Sequence, residues 1–258
     1  MYIDSQESLP LVCVIMPAYN AGPYIAEAIA SVQAQTVKDW ELLVIDDGSR
    51  DDTTRIVTQL AQEDPRIRLL MNEENMGVAK TRNRGLELCR GKYVALLDSD
   101  DYWKPQLLEK MLARAEQTGA DIIYCSYEIV DLAGKTLCND FIVPPTTSFD
   151  ESIVRSVITC STVLLTGKLA AENRFPTNLY HEDIALWFQL LRDGAKAAGV
   201  TEVLAAYRQR ADSRSAGKLT SARRRWTIYR KHLGMPFFRT VGVMARYGYY
   251  GLKKYKKV

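Results

Sequence analysis

The chain has 258 residues, 47% of them apolar and 25% charged, which is enough to bury the core of one large α/β domain, or of one domain with an appendage, and unlike a disordered segment. Its formal net charge of +3 conceals an asymmetry: residues 208 to 258 carry fifteen Lys and Arg against the single acid Asp212, leaving nineteen bases against thirty acids, a net of −11, in the first 207. A basic tail on an acidic body points to an anionic partner for the tail, a membrane surface or nucleic acid.

Leu11 to Met16 is a short continuous apolar run, the pattern of a strand buried on both faces, and Pro17 closes it. Asn20 and Gly22 are turn residues, and Pro23 suits the first turn of a helix through Ala26, Ile29 and Val32. A second strand, Trp40 to Ile45, ends at Asp46-Asp47-Gly48-Ser49, after which Asp51 or Asp52 can cap a helix holding Ile56, Val57 and Leu60. A third strand, Ile67 to Met71, leads through NEENMG into a helix from Val78 to Cys89, which Gly91 ends. The fourth, Tyr93 to Leu97, runs straight into Asp98, Asp100 and Asp101.

Strand and helix thus alternate four times in the first hundred residues, which predicts parallel strands joined by right-handed crossovers in a doubly wound sheet. Sites in such sheets lie beyond the carboxyl ends of the strands. Tyr19-Asn20, Asp46-Asp47, Asn75 to Gly77 and Asp98 to Asp101 all fall at that edge. Because strand side chains alternate, Asp98 and Asp100 leave the strand end on the same side, placed to share one hard cation such as Mg or Mn and its phosphates. A solvated acidic turn is the plainer reading of that tripeptide taken alone.

A helix at Pro105 to Gln117 and a fifth strand at Asp121 to Val130 follow. Leu132 to Arg155, with Gly134, Pro144-Pro145 and a Thr-Thr-Ser run, predicts a long surface excursion without chemistry. Cys160 to Leu165 predicts another strand. Tyr180-His181-Glu182-Asp183 then opens a helix with Ile184, Leu186, Trp187, Leu190 and Leu191 on its apolar side; acids at such a start are ordinarily caps and dipole partners. Gly199 to Tyr207 forms a last strand before the tail.

Five cysteines, Cys13, Cys89, Cys125, Cys138 and Cys160, are odd in number and widely spaced, with no C-x-x-C pair. They indicate neither a disulfide framework nor a zinc site. Cys13 and Cys125 sit in apolar runs and are expected to be free core thiols in a reducing compartment. The first ten residues carry two acids and no base, unlike a secretory signal, and no uncharged apolar stretch reaches the roughly 18 residues that span a bilayer.

Four segments in one order, VIMPAYNAGPYIAEAIASVQAQT, LLVIDDGSRDDT, NMGVAKTRNRGLELCRGKYVALLDSDD and YHEDIALWFQLLRDG, resemble the family 2 glycosyltransferases, over Leu11 to about Tyr207. The resemblance implies a GT-A type α/β fold, a doubly wound and mainly parallel sheet with helices on both faces, here followed by a basic helical tail. Residues 1–207 would form the catalytic domain, with a nucleotide-binding half at about 11–104 and an acceptor half at about 105–207, and 208–258 the tail. It implies transfer of one sugar, with inversion, from a nucleotide-diphosphate sugar, UDP first with GDP or dTDP open, to a lipid-linked or oligosaccharide hydroxyl.

The same resemblance implies that Pro17, Ala18 and Tyr19 line the base and ribose, that Asp47 hydrogen-bonds the base with Asp46 behind it, and that Gly77 lets the chain approach the nucleotide. Arg82 and Asn83 would bear on the diphosphate side, and Asp98 and Ser99 on the nucleotide. Asp98 and Asp100 would bind Mn or Mg, and Asp183 would be the general base, with Glu182 beside it on the acceptor side. Polymerising members carry Q-x-x-R-W and membrane helices, whereas here Ala222 stands where Gln belongs before Arg225-Trp226. The chain is more similar to short bacterial enzymes acting on lipid-linked oligosaccharides. The tail would then meet an anionic membrane rather than nucleic acid, holding the protein at the cytoplasmic face. His232, Arg239, Arg246 and Lys253 recur every seven residues, a single basic stripe if the tail is one continuous helix. Two rivals are a sugar nucleotidyltransferase, which would carry a Gly-rich basic signature after the first strand, and a nucleotide-sugar-binding protein without turnover, which would lack one of the acids.

Overall fold

The computed structural model of the protein describes residues 9–209 and 218–255. The acidic opening segment, the start of the basic tail at 210–217 and the final lysines lie outside the described residues and their side chains.

Three strand-helix units open the chain: β1 (Val12–Ala18), α1 (Ile25–Gln33), β2 (Trp40–Asp46), α2 (Thr53–Glu63), β3 (Ile67–Met71) and α3 (Val78–Leu88). β4 (Tyr93–Leu96), β5 (Tyr102–Trp103), α4 (Leu107–Thr118), β6 (Ile122–Val130), β7 (Thr146–Thr147) and α5 (Phe149–Ser152) follow. β8 (Val163–Thr166), α6 (Gly167–Glu172), α7 (Glu182–Arg192), β9 (Ala197–Arg208), α8 (Lys218–Thr227) and α9 (Phe237–Tyr255) complete it. The nine strands form one sheet in the order β3-β2-β1-β4-β8-β6-β9-β5, with β7 paired to β9.

The four parallel strands expected from the sequence are the β3-β2-β1-β4 half. Beyond β4 the sheet is mixed: β8 runs antiparallel between β4 and β6, while β9 is parallel to β6. Apolar runs mark which segments are strands but not which neighbours they choose. The expected strand at Cys160 to Leu165 begins later, because Cys160–Thr162 is a 3-10 turn.

β1 shows how the two faces are filled. Val12, Val14 and Met16 belong to the core under α1, α2 and α4, whereas Cys13 and Ile15 belong to the core under α3, α6 and α7, as the period of two requires. Gly85 lets α3 lie close, since a Cβ there would stand 2.5 Å from the Ile15 Cγ2 methyl. A third, smaller core joins Ile153 and Val154, Ala185 and Phe188 of α7, and Ile228, Tyr229, Met235 and Val243 of the C-terminal segment. The tail is therefore packed on the back of α7. Arg225, which donates to the Ser156 hydroxyl at 2.7 Å and sits over the Phe188 ring, is part of that packing.

Two expectations change here, and the condition on the basic stripe is not met. Residues 132–155 are not wholly a surface excursion: Val143, Ile153 and Val154 are buried, and Phe141 stacks on Tyr127. The tail is not one helix, because a π-helical turn at Ile228–His232 and a break before Phe237 separate α8 from α9; His232 thus stands apart from any stripe on α9. Cys13 is not a free thiol but is bonded to Cys89, their Cα atoms 5.8 Å apart, within bridging reach. Wide spacing in sequence hid the pair, since the crossover through α3 returns its last residue to the start of β1. Cys125, Cys138 and Cys160 are free.

Candidate active site

The loops at the carboxyl ends of β1 and β2 hold each other. Asn20, whose φ of 48° is in the left-handed region that Asn tolerates, donates its N–H to Ser49 Oγ at 2.9 Å and accepts from the Arg50 N–H at 2.9 Å. Ala21 N–H donates to Thr53 Oγ1 and Gly22 N–H to Asp51 Oδ2. Tyr19 is left standing outward, 47% exposed, beside Pro17 and Ala18.

Asp46 lies beneath, fully buried, with one oxygen accepting from the Ser49 N–H. Asp47 is the organising acid. Its Oδ1 accepts from Asn72 Nδ2 at 2.7 Å and from the Met76 N–H at 2.9 Å, and its Oδ2 from the Gly77 N–H at 2.8 Å. A carboxylate has about four acceptor sites, so Oδ2 retains capacity toward the cavity that Asp47 lines. Gly77 takes φ +86°, a conformation that L side chains rarely adopt, and it turns the chain into α3.

These groups line a cavity of about 360 Å³ whose wall includes Pro17, Ala18, Tyr19, Asp47, Asn75 and Gly77. Its opposite wall comes from far along the chain: Thr177, Leu179 and Glu182. The segment carrying them is tied to α3 by Asn83, whose side-chain amide donates to the Phe175 carbonyl at 2.9 Å and accepts from the Phe175 N–H at 2.8 Å. Both ends of the Asn83 amide are thus engaged by the backbone.

Arg82 joins the cavity to the acidic loop after β4. Only 5% exposed, it donates from Nη1 to Glu182 Oε1 at 2.9 Å and from Nη2 to Asp98 Oδ1 at 2.6 Å. Burial opposes its charge, yet Asp98, Glu182 and Asp183 outweigh that and hold the guanidinium protonated. Its fork, more than a lysine's point charge, suits two carboxylates at once. Asp183, the next residue of α7, is held above the ordinary carboxylate range by burial and by the adjoining Glu182, with Arg82 acting in the opposite direction. Its proton affinity is raised in the sense a general base needs.

The residues after β4 turn tightly, the Asp101 N–H donating to the Asp98 carbonyl at 3.1 Å. Asp98, Ser99 and Asp100 remain partly exposed while Asp101 is buried. Among the described residues no group of three or more His, Cys, Asp or Glu is preassembled to hold a metal. The donor set of Asp98 and Asp100 still fits Mg or Mn, which are commonly bound through one or two carboxylates with substrate phosphates and water completing the shell.

A family model for glycosyl transferase family 2 matches residues 13–136. Over 95% of this chain and 97% of the relative, the sequence is 34% identical to the putative teichuronic acid biosynthesis glycosyltransferase TuaG of Bacillus subtilis (strain 168). The chain belongs to glycosyltransferase family 2. This glycosyltransferase is also 33% identical, over 95% of both chains, to the Escherichia coli UDP-Glc:alpha-D-GlcNAc-diphosphoundecaprenol beta-1,3-glucosyltransferase WfgD. Its fold is the expected GT-A type. It superposes on S. aureus TarS 1-349 in complex with UDP-GlcNAc with a TM-score of 0.72 at 20% identity, covering 92% of this chain and 71% of that one. The mannosyltransferase PcManGT from Pyrobaculum calidifontis, in complex with GDP-Man and Mn2+, gives 0.71 at 18% identity over 94% and 70%.

Sequence reasoning missed two residues of this site. Ser161, in the 3-10 turn before β8, reaches under the acidic loop, and Arg208 closes β9 against it. An arginine ending the apolar run LAAYR was a signal for the second; a lone serine gave none for the first.

Proposed function

We propose that this glycosyltransferase moves one sugar from a UDP-sugar to a hydroxyl of a lipid-linked or oligosaccharide acceptor, with inversion, in bacterial surface polysaccharide synthesis. The observation that carries this reading is the Arg82 bridge. It sets the first turn of α7, with Asp183, beside the Asp98–Asp101 loop and against the cavity lined by Asp47 and Gly77. The name of WfgD supports the lipid-linked acceptor, that of TuaG a role in polysaccharide synthesis, and those of WfgD and TarS the UDP-linked donor.

In this reading the base and ribose occupy the cavity, between Tyr19 and the Asn75–Gly77 turn, and Asp47 offers Oδ2 to the base. The sugar lies toward α7. A divalent Mn or Mg held by Asp98 and Asp100 would offset the negative charge developing on the departing diphosphate. Asp183 removes the proton from the acceptor hydroxyl as it attacks the anomeric carbon, and the nucleoside diphosphate leaves from the opposite face. One such base and, among the described residues, no second carboxylate placed as nucleophile give a single displacement. Glu182, held by Arg82, fixes the turn from which Asp183 projects. Residues 11–104 supply the nucleotide half and 105–207 the acceptor half.

We also place the enzyme on the cytoplasmic membrane face through 208–258. Cysteine usage no longer supports the location, because a bonded Cys13–Cys89 pair is uncommon in a reducing compartment. α9 supports it instead. Phe238, Val241 and Tyr249 are exposed, Phe238 at 87%, on the side away from buried Thr240 and Val243, and Arg246 is exposed beside Tyr249. An outward apolar face with basic flanks suits the water-lipid interface. No helix among the described residues is long and apolar enough to cross a membrane.

The test is incubation with a panel of nucleotide sugars and a polyprenyl-diphosphate-linked sugar acceptor, with manganese or with EDTA. Manganese-dependent lengthening of the acceptor by one sugar, abolished by EDTA and by Asp100→Asn, is expected. Equal transfer by that variant in EDTA contradicts the metal-assisted mechanism.

A further inference from the structure

The loop carrying Asp98, Asp100 and Asp101 concentrates three acids within four residues, and it is held from two sides by groups outside it. From the 3-10 turn before β8, the Ser161 hydroxyl accepts from the Asp98 N–H at 3.1 Å and donates to Asp101 Oδ2 at 2.5 Å. The Ser161 carbonyl in turn accepts from Trp103 Nε1 at 2.7 Å. From the end of β9, the Arg208 N–H donates to Asp101 Oδ1 at 2.7 Å, and Arg208 Nη1 donates to the Asp100 carbonyl at 2.8 Å.

Arg208 is itself fixed. Its Nη2 donates to Glu27 Oε2 at 2.8 Å, and its guanidinium lies over the rings of Tyr24 and Tyr102 at 5.0 and 5.4 Å. Asp101, Ser161 and Arg208 are 2, 3 and 4% exposed. A buried acid with a donor on each oxygen is a fastening, not a ligand site.

We propose that Asp101, Ser161 and Arg208 are positioning residues that clamp this loop so that Asp98 and Asp100 meet a divalent ion and the donor's diphosphate at a fixed separation. The proposal rests on the metal reading of Asp98 and Asp100 above. Arg208 contacts the main chain of Asp100, so it sets where that residue starts without occupying its carboxylate. Ser161 does the same for Asp98 through its N–H, and Asp101 locks the two supports to the loop between them. The second guanidinium arm on Glu27 of α1 ties this loop to the element that follows the Tyr19 turn. A lysine at 208 would keep the charge and lose the fork that reaches both Asp100 and Glu27.

The experiment is a titration of Mn2+ into UDP-bound protein, read by the loss of the free-ion electron paramagnetic resonance signal, for wild type, Arg208→Lys, Ser161→Ala and Ser161→Thr. Urea midpoints in EDTA serve as the control for folding. The wild type should take up manganese. Arg208→Lys and Ser161→Ala should bind it about 10- to 100-fold more weakly, as loss of groups supporting metal ligands does, with transfer recovering in excess manganese. Ser161→Thr, which keeps the hydroxyl, should restore most of the affinity. If Arg208→Lys fails to fold, the Ser161 pair carries the test. Wild-type affinity in a folded Ser161→Ala or Arg208→Lys overturns the clamp. A wild type that takes up no manganese overturns the metal reading itself, and the clamp with it.

Discussion

Arg82 and Glu182, one hundred positions apart in sequence, meet at 2.9 Å in the interior, and the other arm of the same guanidinium holds Asp98. The buried ion pair joins the loop after β4, beside the cavity lined by Asp47, to the helix bearing Asp183. Removing Arg82 takes from two acids the cation they share, at a cost of about 3–5 kcal/mol. Arg82→Met should lower the urea-unfolding free energy by about that much, and the double variant with Glu182→Gln should lose less than the sum of the two single changes. A loss under about 1 kcal/mol, or simple additivity, would mean that Arg82 does not couple the two halves.

If Asp183 is the base proposed above, Asp183→Asn should cut kcat by orders of magnitude while donor affinity stays near the wild-type value, as for a group needed chiefly in the transition state. The raised proton affinity of Asp183 has two further consequences. The acid limb of the kcat profile should lie above the usual carboxylate range, with activity falling as pH drops through the raised value. For stability the sign is opposite to that of a paired carboxylate: the folded state favours the protonated acid, so this residue's contribution is lost as pH rises from the unfolded to the folded value. Asp183→Asn should therefore be at least as heat-stable as wild type at neutral pH. Lost donor binding with normal turnover would make Asp183 a helix cap only.

The Cys13–Cys89 bond closes a loop of 76 residues' separation. Chain entropy assigns such a loop about 4 kcal/mol. Denatured, unreduced protein should titrate three thiols, those of Cys125, Cys138 and Cys160, and Cys89→Ser should lower stability by up to about 4 kcal/mol. Five titrating thiols would show the pair to be open.

Much of the candidate site was legible because it is local. Pro17 to Tyr19, Asp46-Asp47, Asn75 to Gly77 and Asp98 to Asp101 each follow a strand directly, and parallel pairing of β1, β2, β3 and β4 brings all four to one edge. What stayed hidden depends on contacts between distant segments. Nothing in the run around Ser161 tells that β8 enters antiparallel between β4 and β6 and so carries the serine under the acidic loop. β5 has two residues, too few to show a period. Arg82 was read toward the diphosphate, since the sequence could not show that Asp98 and Glu182 would both turn to it.

On α9, Phe238 and Tyr249 are 87% and 63% exposed. Fully burying one such side chain contributes about 1.5–3 kcal/mol, so Phe238→Asp with Tyr249→Asp should weaken partitioning onto anionic vesicles roughly tenfold or more. Flotation would measure it, with transfer to a short water-soluble acceptor unchanged. Equal flotation of the double variant would remove α9 from the membrane contact.

The configuration of the new glycosidic bond tests the central claim most directly. With an α-linked UDP-sugar donor, proton NMR of the first product formed by wild-type enzyme should show a β linkage alone, as a single displacement with Asp183 as base requires. An α-linked first product would contradict it.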